Sequence, residues 1–396
     1  MEQIAATTKL DLEAVELEFP RNKQTVYLNT GTTGRKPVSV LSSIMDGWQH
    51  LNDNPTLTTF LDPAPLENAR AAVAGLHKVP ERSILLIPNP SQGLHLLMQS
   101  FLRNPGDELV TTTHEHGSAY AIARHLEETR GVVVRKLEVD PTKSSTQFTF
   151  SLLDLVTPRT KLVLVSEISC TSGWCPDLNT LSESLALLEV PLLMDGAHVS
   201  GHLESSPANY PLWVGSGHKW LGGPNGTGFA YVAPHLVPLL EPVWLGDHHF
   251  DRKEADIEDL RRFEQAGTSD VVRWMGLTRA IELYKRFDPK LIAARQNALV
   301  DYLRMRLDAE LSPVYRTPLS EEDSRKTALV TFNFPAERVK VDDLAMQLWE
   351  RHQICVRNDF VSPTPHLGIR ISCHYSITEA DIDILIQALK TMVDHG

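Results

Sequence analysis

From residue 83 to residue 232 the chain alternates short, unbroken apolar runs with segments of helical period. That pattern predicts strands buried on both faces and the helices that cover them. SILLIPNPSQGLHLLMQSFL (83–102) reads as strand, loop and helix. The unit recurs as a strand over 108–112, the loop THEHGS (113–118) and a helix to about residue 129, then a strand over 132–137. A helix with the strand LVLVSEIS (162–169), a helix over about 180–188 with the strand in PLLMDGAHVSG (191–201), and a short strand at Trp213 follow. Strands separated by helical stretches of about 10–15 residues predict a parallel sheet covered on both faces, with its site at the carboxyl ends of the strands. THEHGS, SEISCTSG, MDGAH and SGHK each fall at such an end.

On the N-terminal side, residues 1–26 read as a helical arm ended near Pro20, and VYLNTGTTGRKP (26–37) as a strand that breaks into a Gly/Thr loop before a helix over about 39–52. DNPTLTTFLDPAP (53–65) reads as irregular and 66–77 as helix. Beyond Val232 come a Pro-rich connection (234–250), a charged segment (251–264), the loop QAGTSD (265–270) and helices over 271–287 and 290–309. The strand TALVTFNF (327–334), a helix over 341–351, strands QICVRN (353–358) and GIRISCHYS (368–376) and a helix over 378–393 complete the chain. The expected class is α/β: an arm (1–26) that belongs to the small domain, a large domain (27–270) and a smaller α+β C-terminal domain (271–396).

Composition narrows the partners. With 38 Lys and Arg against 50 Asp and Glu, the net charge of -12 disfavours a nucleic-acid backbone or an anionic membrane as partner. The four cysteines, Cys170, Cys175, Cys355 and Cys373, are scattered in a way that fits a reducing compartment. The chain shows no basic segment leading into an apolar run and no stretch of about 18 apolar residues, so a soluble cytoplasmic protein is expected.

The chemistry centres on WVGSGHKWLGGPNGTGFAYV (213–232), where Lys219 stands between His218 and Trp220. A lysine that loses hydration is a poorer ammonium and a better amine nucleophile toward an aldehyde, so Lys219 is a candidate Schiff-base lysine. Asp195, 24 residues earlier at the end of an apolar run, could hold a protonated pyridine nitrogen or cap a helix. His198 could reach the phenolic oxygen of such a ring, and His116 could stack on it or serve as a polar loop residue. The loop NPSQG (89–93) opens onto a helix and so suits a phosphate, although Ser91 as a helix cap explains it as well. Ser216 and His218 could donate to the same phosphate, and Gly267-Thr268 forms another anion-competent turn. Asn29, Gly31 and Gly34 bring backbone N–H groups toward a ligand or simply make a tight turn. Arg370, within the apolar strand GIRIS, calls for an anion: an amino-acid carboxylate or an internal salt bridge. The pairs His114/His116 and His248/His249 lack the spacing and companions of a zinc site, so no metal is expected.

Together these residues resemble the class V aminotransferase family of fold-type I pyridoxal-phosphate enzymes. The resemblance runs over nearly the whole chain: VYLNTGTTGRKP, Ser91-Gln92, Glu115-His116-Gly117, Ser166 to Gly173, Asp195-Gly196-Ala197-His198, SGHKWLGGPNGTG, Ala266-Gly267-Thr268 and Gly368-Ile369-Arg370-Ile371-Ser372. It implies a large domain with a mostly parallel sheet of the seven-stranded type and pyridoxal 5'-phosphate as cofactor. It further implies Lys219 as the lysine that carries the cofactor, Asp195 as partner of the ring nitrogen and His116 as the stacking ring. Ser91, Gln92, Ser169, His198, Ser216 and His218 would be further cofactor contacts, and Arg370 with Asn29 and Gly31 would bind substrate. Thr268 would reach the phosphate of a neighbouring subunit, so the family implies a homodimer with shared sites.

Within the family, desulfurases carry a cysteine on the loop before the arginine, whereas RNDFVSPTPHLG (357–368) contains none. RISCHYSITE (370–379) is similar to the C-terminal strand of cyanobacterial cysteine/cystine C–S lyases, and MDGAH with HKWLGGPNG is similar to the isopenicillin N epimerase branch. Tyr375-Ser376 replaces the family's usual Tyr-Asn pair. The expected activity is Cβ–S cleavage of a cysteine-derived amino acid through an aminoacrylate, releasing pyruvate and ammonia. Epimerisation or transamination at Cα is the alternative, and a non-catalytic cofactor-binding module the second. Phe60, Trp244, His248 and His249 are expected to wall the substrate side or to lie exposed.

Overall fold

The computed structural model describes residues 9–22, 24–140, 143–264, 267–312, 315–316, 326–334, 341–358 and 369–394. In chain order the strands are β1 (Val26–Tyr27), β2 (Ile84–Ile87), β3 (Glu108–Thr112), β4 (Val133–Leu137), β5 (Thr160–Ser166), β6 (Leu192–Gly196), β7 (Leu212–Ser216), β8 (Gly228–Val232), β9 (Tyr315–Arg316), β10 (Leu329–Asn333), β11 (Ile354–Cys355), β12 (Arg357–Asn358) and β13 (Ile369–Ser372). Strands β2 to β8 form a seven-stranded sheet in the order β2-β8-β7-β6-β5-β3-β4. Only β8 runs against its neighbours β2 and β7. The apolar runs ILLI, LLMDG and GFAYV are buried at every position, as a sheet covered on both faces requires.

Sequence order sends the carboxyl ends of β3, β5, β6 and β7 to one edge of this sheet. Gly196 and Gly215 lie flat against the Trp213 ring, where a Cβ would stand 2.2 and 2.4 Å from ring carbons. The Trp213 indole donates to Glu167 Oε2 at 3.1 Å, so the buried ring fixes the end of β6 and with it Asp195.

The C-terminal part builds an antiparallel sheet in the order β12-β13-β10-β9. Its β13 is tied to the start of the chain, where the Ser372 N–H donates to the Leu28 carbonyl at 2.8 Å. β1 pairs in parallel with β11. The helix Val272–Arg286, read in sequence as the start of the small domain, packs against helices Val38–Asp53 and Ala64–His77. Among the described residues no helix is long and apolar enough to cross a membrane.

Several sequence expectations change. The stretch 53–65 is not wholly irregular: Leu57–Leu61 forms a π-helical turn and the next helix begins at Ala64. QICVRN is two short strands in two different sheets, because the backbone is unpaired at Val356. GIRISCHYS is strand only over Ile369–Ser372, since the His374 N–H turns back to the Ser372 carbonyl at 3.0 Å. The charged segment contains the helix His249–Ala255 and a 3-10 turn, Leu260–Phe263.

Candidate active site

Lys219 lies in the turn after β7, and two close backbone contacts shape that turn. The Gly34 N–H donates to the His218 carbonyl at 2.8 Å. A Cβ on Gly34 would stand 2.0 Å from the Lys219 carbonyl oxygen, so only glycine lets the 29–34 loop approach this far. On the other side Gly201, at φ 85, presses on the backbone of Trp220.

The Lys219 amine points at His198, with Nζ 3.1 Å from Nε2. Trp220 Nε1 donates to His198 Nδ1 at 3.4 Å, which places the imidazole proton on Nε2, facing Lys219. Burial pushes His198 well below its ordinary range, so it is neutral. Burial also pushes Lys219 down to about 8, and the nearby Asp195 carboxylate works in the opposite direction. His198 is itself held by His202, whose Nδ1–H donates to the His198 carbonyl at 2.9 Å and whose Nε2 accepts the Ala328 N–H at 2.6 Å. The His202 ring stacks on Trp220 with centroids 4.0 Å apart.

Asp195 ends β6 and is buried. Its Oδ1 accepts the Ala197 N–H at 2.9 Å in a turn, so it is not a helix cap. Oδ2 accepts no hydrogen bond among the described residues. Ser166 pairs with Asp195 in register on β5 and donates to Glu115 Oε2 at 2.6 Å, while Thr112 Oγ1 donates to Glu115 Oε1 at 2.6 Å. Burial, aided by the Asp195 charge, pushes Glu115 up to about 8, so it is largely protonated at neutral pH. His116 follows it and caps the helix Gly117–Arg130, its Nδ1 accepting the Ser118 N–H at 3.1 Å. The ring is half-buried, and its titration is depressed by burial and responds to Asp195, Lys219 and Arg370.

The anion end is built around helix Pro90–Phe101. Asn89, not Ser91, caps it, its Oδ1 accepting the Gln92 N–H at 3.0 Å, because Asn89 alone holds the extended backbone that a cap needs. Ser91 Oγ is thereby left to donate to Ser118 Oγ at 3.0 Å. Gly228, in register with Ser216, brings β8 so close that a Cβ would stand 2.9 Å from Asn89 Cα. Ser216 Oγ lies 3.2 Å from His218 Nδ1, which also meets the Thr227 carbonyl at 3.0 Å. Ser169 is differently engaged: its Oγ accepts the N–H groups of Thr171 and Ser172 within its own turn. Thr268 is exposed, next to Gly267 at φ 121, and the QAGTSD loop is described only from Gly267 onward.

Arg370 is fully buried on β13. It donates to the Cys170 carbonyl at 2.6 Å, to Asn29 Oδ1 at 3.2 Å and to Thr32 Oγ1 at 3.1 Å. Gly31 packs on it, since a Cβ there would stand 3.0 Å from Nη2, and the Gly31 N–H donates to Ser372 Oγ at 3.0 Å. Of the expected walls, Trp244 is half-buried and His248 exposed. His249 is not exposed: it is buried between Phe250 and Phe263 and hydrogen-bonded to the Arg262 carbonyl at 2.9 Å. The Phe60 side chain and residues 359–368 lie outside the described residues.

Four residues that sequence reasoning passed over belong to this cluster. His202 supports His198 as described, Glu115 ties Thr112 to Ser166 beside Asp195, Cys170 lies within electrostatic reach of Lys219, and Arg357 stands opposite Arg370 in the β12–β13 register. The charge of Glu115 inside an otherwise neutral loop was the one visible signal. A buried amine, a carboxylate oxygen without a donor, a helix N-terminus flanked by hydroxyls, and an arginine at the far side fit an aldehyde cofactor with a basic ring nitrogen and a phosphate. Among the described residues no group of three or more His, Cys, Asp or Glu is arranged to hold a metal.

Comparison with known proteins places the fold and the family of the chain. The chain is 29% identical over 385 residues to the isopenicillin N epimerase of Streptomyces clavuligerus, covering 93% of this chain and 94% of that one. Its fold is similar to that of the cysteine desulfurase CsdA of Escherichia coli, with a TM-score of 0.81 at 22% identity over 97% of this chain and 99% of that one. It is also similar to the cystine C–S lyase C-DES, with a TM-score of 0.79 at 23% identity over 93% and 98% of the two chains. The pattern of the family described as Aminotransferase class-V matches residues 26–385, and the chain belongs to that family.

Proposed function

We propose that the protein is a pyridoxal-phosphate-dependent lyase that cleaves the Cβ–S bond of a cysteine-derived amino acid, working in the cytoplasm as a homodimer with shared sites. The observation that carries the cofactor is the Lys219 amine, set at about 8 and held 3.1 Å from the neutral His198 ring. Pyridoxal phosphate, when bound, supplies an electron-poor ring that draws charge from the substrate's Cα. Lys219 would hold it, Asp195 Oδ2 would keep the ring nitrogen protonated, and His116 would lie on its face. Ser91, Gln92, Ser216 and His218 would hold the phosphate.

Arg370 orients the substrate carboxylate, its plane set by Asn29, Thr32 and the Cys170 carbonyl. Lys219, once free, takes the Cα proton at Nζ, and the hydrogen bond from His198 Nε2–H keeps that amine aimed. Trp213, Trp220 and the packed turns around them exclude water from the reacting atoms. The sulfur then leaves from Cβ, and hydrolysis of the product gives pyruvate and ammonia.

Cleavage without a cysteine nucleophile is favoured because 357–368 contains no cysteine and the Cys373 thiol is fully buried, pushed up to about 12. The likeness to a cystine C–S lyase supports the same bond. Support for the dimer comes from the helix Val38–Asp53, which exposes Val38, Leu41, Met45 and Trp48 along one stripe, and from the exposed Thr268. The test is an absorbance spectrum at the Schiff-base band followed by pyruvate release from cystine, cysteine conjugates and sulfoxides. No pyruvate, with α-deuterium exchange into intact substrate, would make the enzyme an epimerase; accumulation of the pyridoxamine form would make it an aminotransferase.

A further inference from the structure

A cavity of about 240 Å³ lies behind the lysine turn, and its lining includes neither Lys219 nor any residue assigned above to cofactor or substrate. Its inner wall is made by Ser200, Gly201 and His77, the last residue of the helix Ala64–His77. The Ser200 hydroxyl donates to His77 Nε2 at 3.0 Å, and His77 Nδ1 meets the Ser205 carbonyl at 3.4 Å, which places the ring proton on Nδ1. Burial pushes His77 down to about 4, so this wall is uncharged. It is also fixed: a Cβ on Gly201 would stand 2.6 Å from the Leu221 nitrogen, and the His77 ring packs on Trp213 and Phe229 with centroids 5.1 and 5.5 Å away. A concave wall held in this way is the pre-formed kind that small-ligand sites use.

Three polar side chains lining the cavity make no hydrogen bond or ion pair among the described residues. Tyr284 is 4% exposed, and a buried phenol without a partner is uncommon. Lys78 and Glu204 are exposed at the rim and carry opposite charges. Burial and the charges of Glu204 and Asp288 push the Tyr284 phenol up, so it stays a neutral hydroxyl. An oxygen beside two carboxylates favours a cation and repels an anion. Lys78 is the lining residue left to take an anion. Leu76, Leu203 and Pro289 add apolar surface. A cavity of about 150 Å³ holds benzene with its six heavy atoms, so one of 240 Å³ takes roughly ten.

We propose that this cavity binds a free amino acid with a small apolar side chain, its ammonium on Glu204 and the Tyr284 hydroxyl, its carboxylate on Lys78 and its side chain against Leu76, Leu203 and Pro289. It is a second amino-acid site, separate from the one at Arg370, and it does not rest on the lyase reading. A ligand with one charge answers only one of the two rim groups, whereas a zwitterion answers both.

The test is calorimetric titration of the holoenzyme, its cofactor first fixed to Lys219 by borohydride so that no added amine exchanges with it. Three probes share one apolar skeleton: L-leucine, 3-methylbutylamine, which lacks the carboxylate, and 4-methylpentanoate, which lacks the amine. Leucine is expected to bind about tenfold more tightly than either half, the worth of one charge-assisted contact. Glu204→Gln and Tyr284→Phe weaken leucine and the amine and leave the acid unchanged, while Lys78→Gln weakens leucine and the acid and leaves the amine unchanged. Misfolding would weaken all three probes together and remove the cofactor band, so the pattern across probes is the readout. Equal affinity for the three probes, no heat with leucine at millimolar concentration, or leucine binding that persists undiminished in Glu204→Gln and Lys78→Gln overturns the proposal; the last result would place the ligand at Arg370 instead.

Discussion

Asp195→Asn separates two properties of Lys219 that act together in the native site. Burial lowers the Lys219 amine from the ordinary 10.5 to about 8, and the Asp195 charge opposes that fall. The gap, 10.5 minus 8, is about 2.5 pH units, so at pH 7 the free amine is more abundant by a factor on the order of 300. About one molecule in ten then holds a neutral Lys219. Asparagine keeps an oxygen for the Ala197 N–H and removes the charge, so Lys219 moves below about 8 and the neutral fraction at pH 7 rises by at most the remaining factor of roughly ten. Turnover moves the other way: without an anion at the ring nitrogen it falls by roughly a hundredfold or more. The assay is the rate of covalent pyridoxal-phosphate uptake by the apoprotein across the pH range, beside steady-state pyruvate release. The neutral amine grows as pH rises through the folded-state value, so uptake climbs to a plateau with its midpoint near 8 in the native protein and lower in the variant. A native midpoint near 10, or an upward move in Asp195→Asn, refutes the assignment.

Three other outcomes follow from the same geometry. Gly31→Ala sets a methyl 3.0 Å from the Arg370 guanidinium, so KM for the amino acid rises roughly tenfold while kcat falls less and the cofactor band persists; unchanged KM would mean that the loop does not press on the anchor. Cys170→Ser keeps pyruvate release within about twofold, since the lyase needs no thiol there; a hundredfold loss, with a persulfide trapped on Cys170 of the native protein, would make it a desulfurase. Glu115 stands at about 8 against an ordinary 4.5, so the folded chain keeps a proton that the unfolded chain releases in that window. Its contribution is full below about pH 4.5 and is lost as pH rises through about 8, with a slope of at most about 1.4 kcal/mol per pH unit. Urea denaturation of Glu115→Gln beside the native protein shows that decline as a narrowing difference, and a pH-independent difference would mean that Glu115 is ionised.

What sequence makes legible here is whatever one segment decides alone. Runs such as LLMDG and LVLVS have no polar face, so their burial in a parallel sheet follows from composition, and the loops at their ends follow with them. The reversed direction of β8 has no local signature, because GFAYV suits either orientation. Lys219, Asp195 and Arg370 stand out because each is a charge in apolar surroundings. Arg357 does not, since its place opposite Arg370 depends on a register between strands separated by a loop of unread shape. Glu115 and Ser169 show the same limit in reverse: side chains of similar promise are assigned by partners, Ser166 and Thr171, that only the folded chain supplies.

The Gly31 N–H meets Ser372 Oγ across 341 residues of chain, and Gly34 meets the turn that carries Lys219. During synthesis, therefore, the large sheet with Lys219 and Asp195 can form while the 29–34 loop still waits for its last partner. A chain stalled on the ribosome before β13 would hold the Lys219 turn without Arg370 and Ser372. The loop's contact with the lysine turn needs only the chain up to residue 218, whereas its contact with the arginine strand waits for residue 372, so one short loop joins two parts of the site that are synthesised far apart in time.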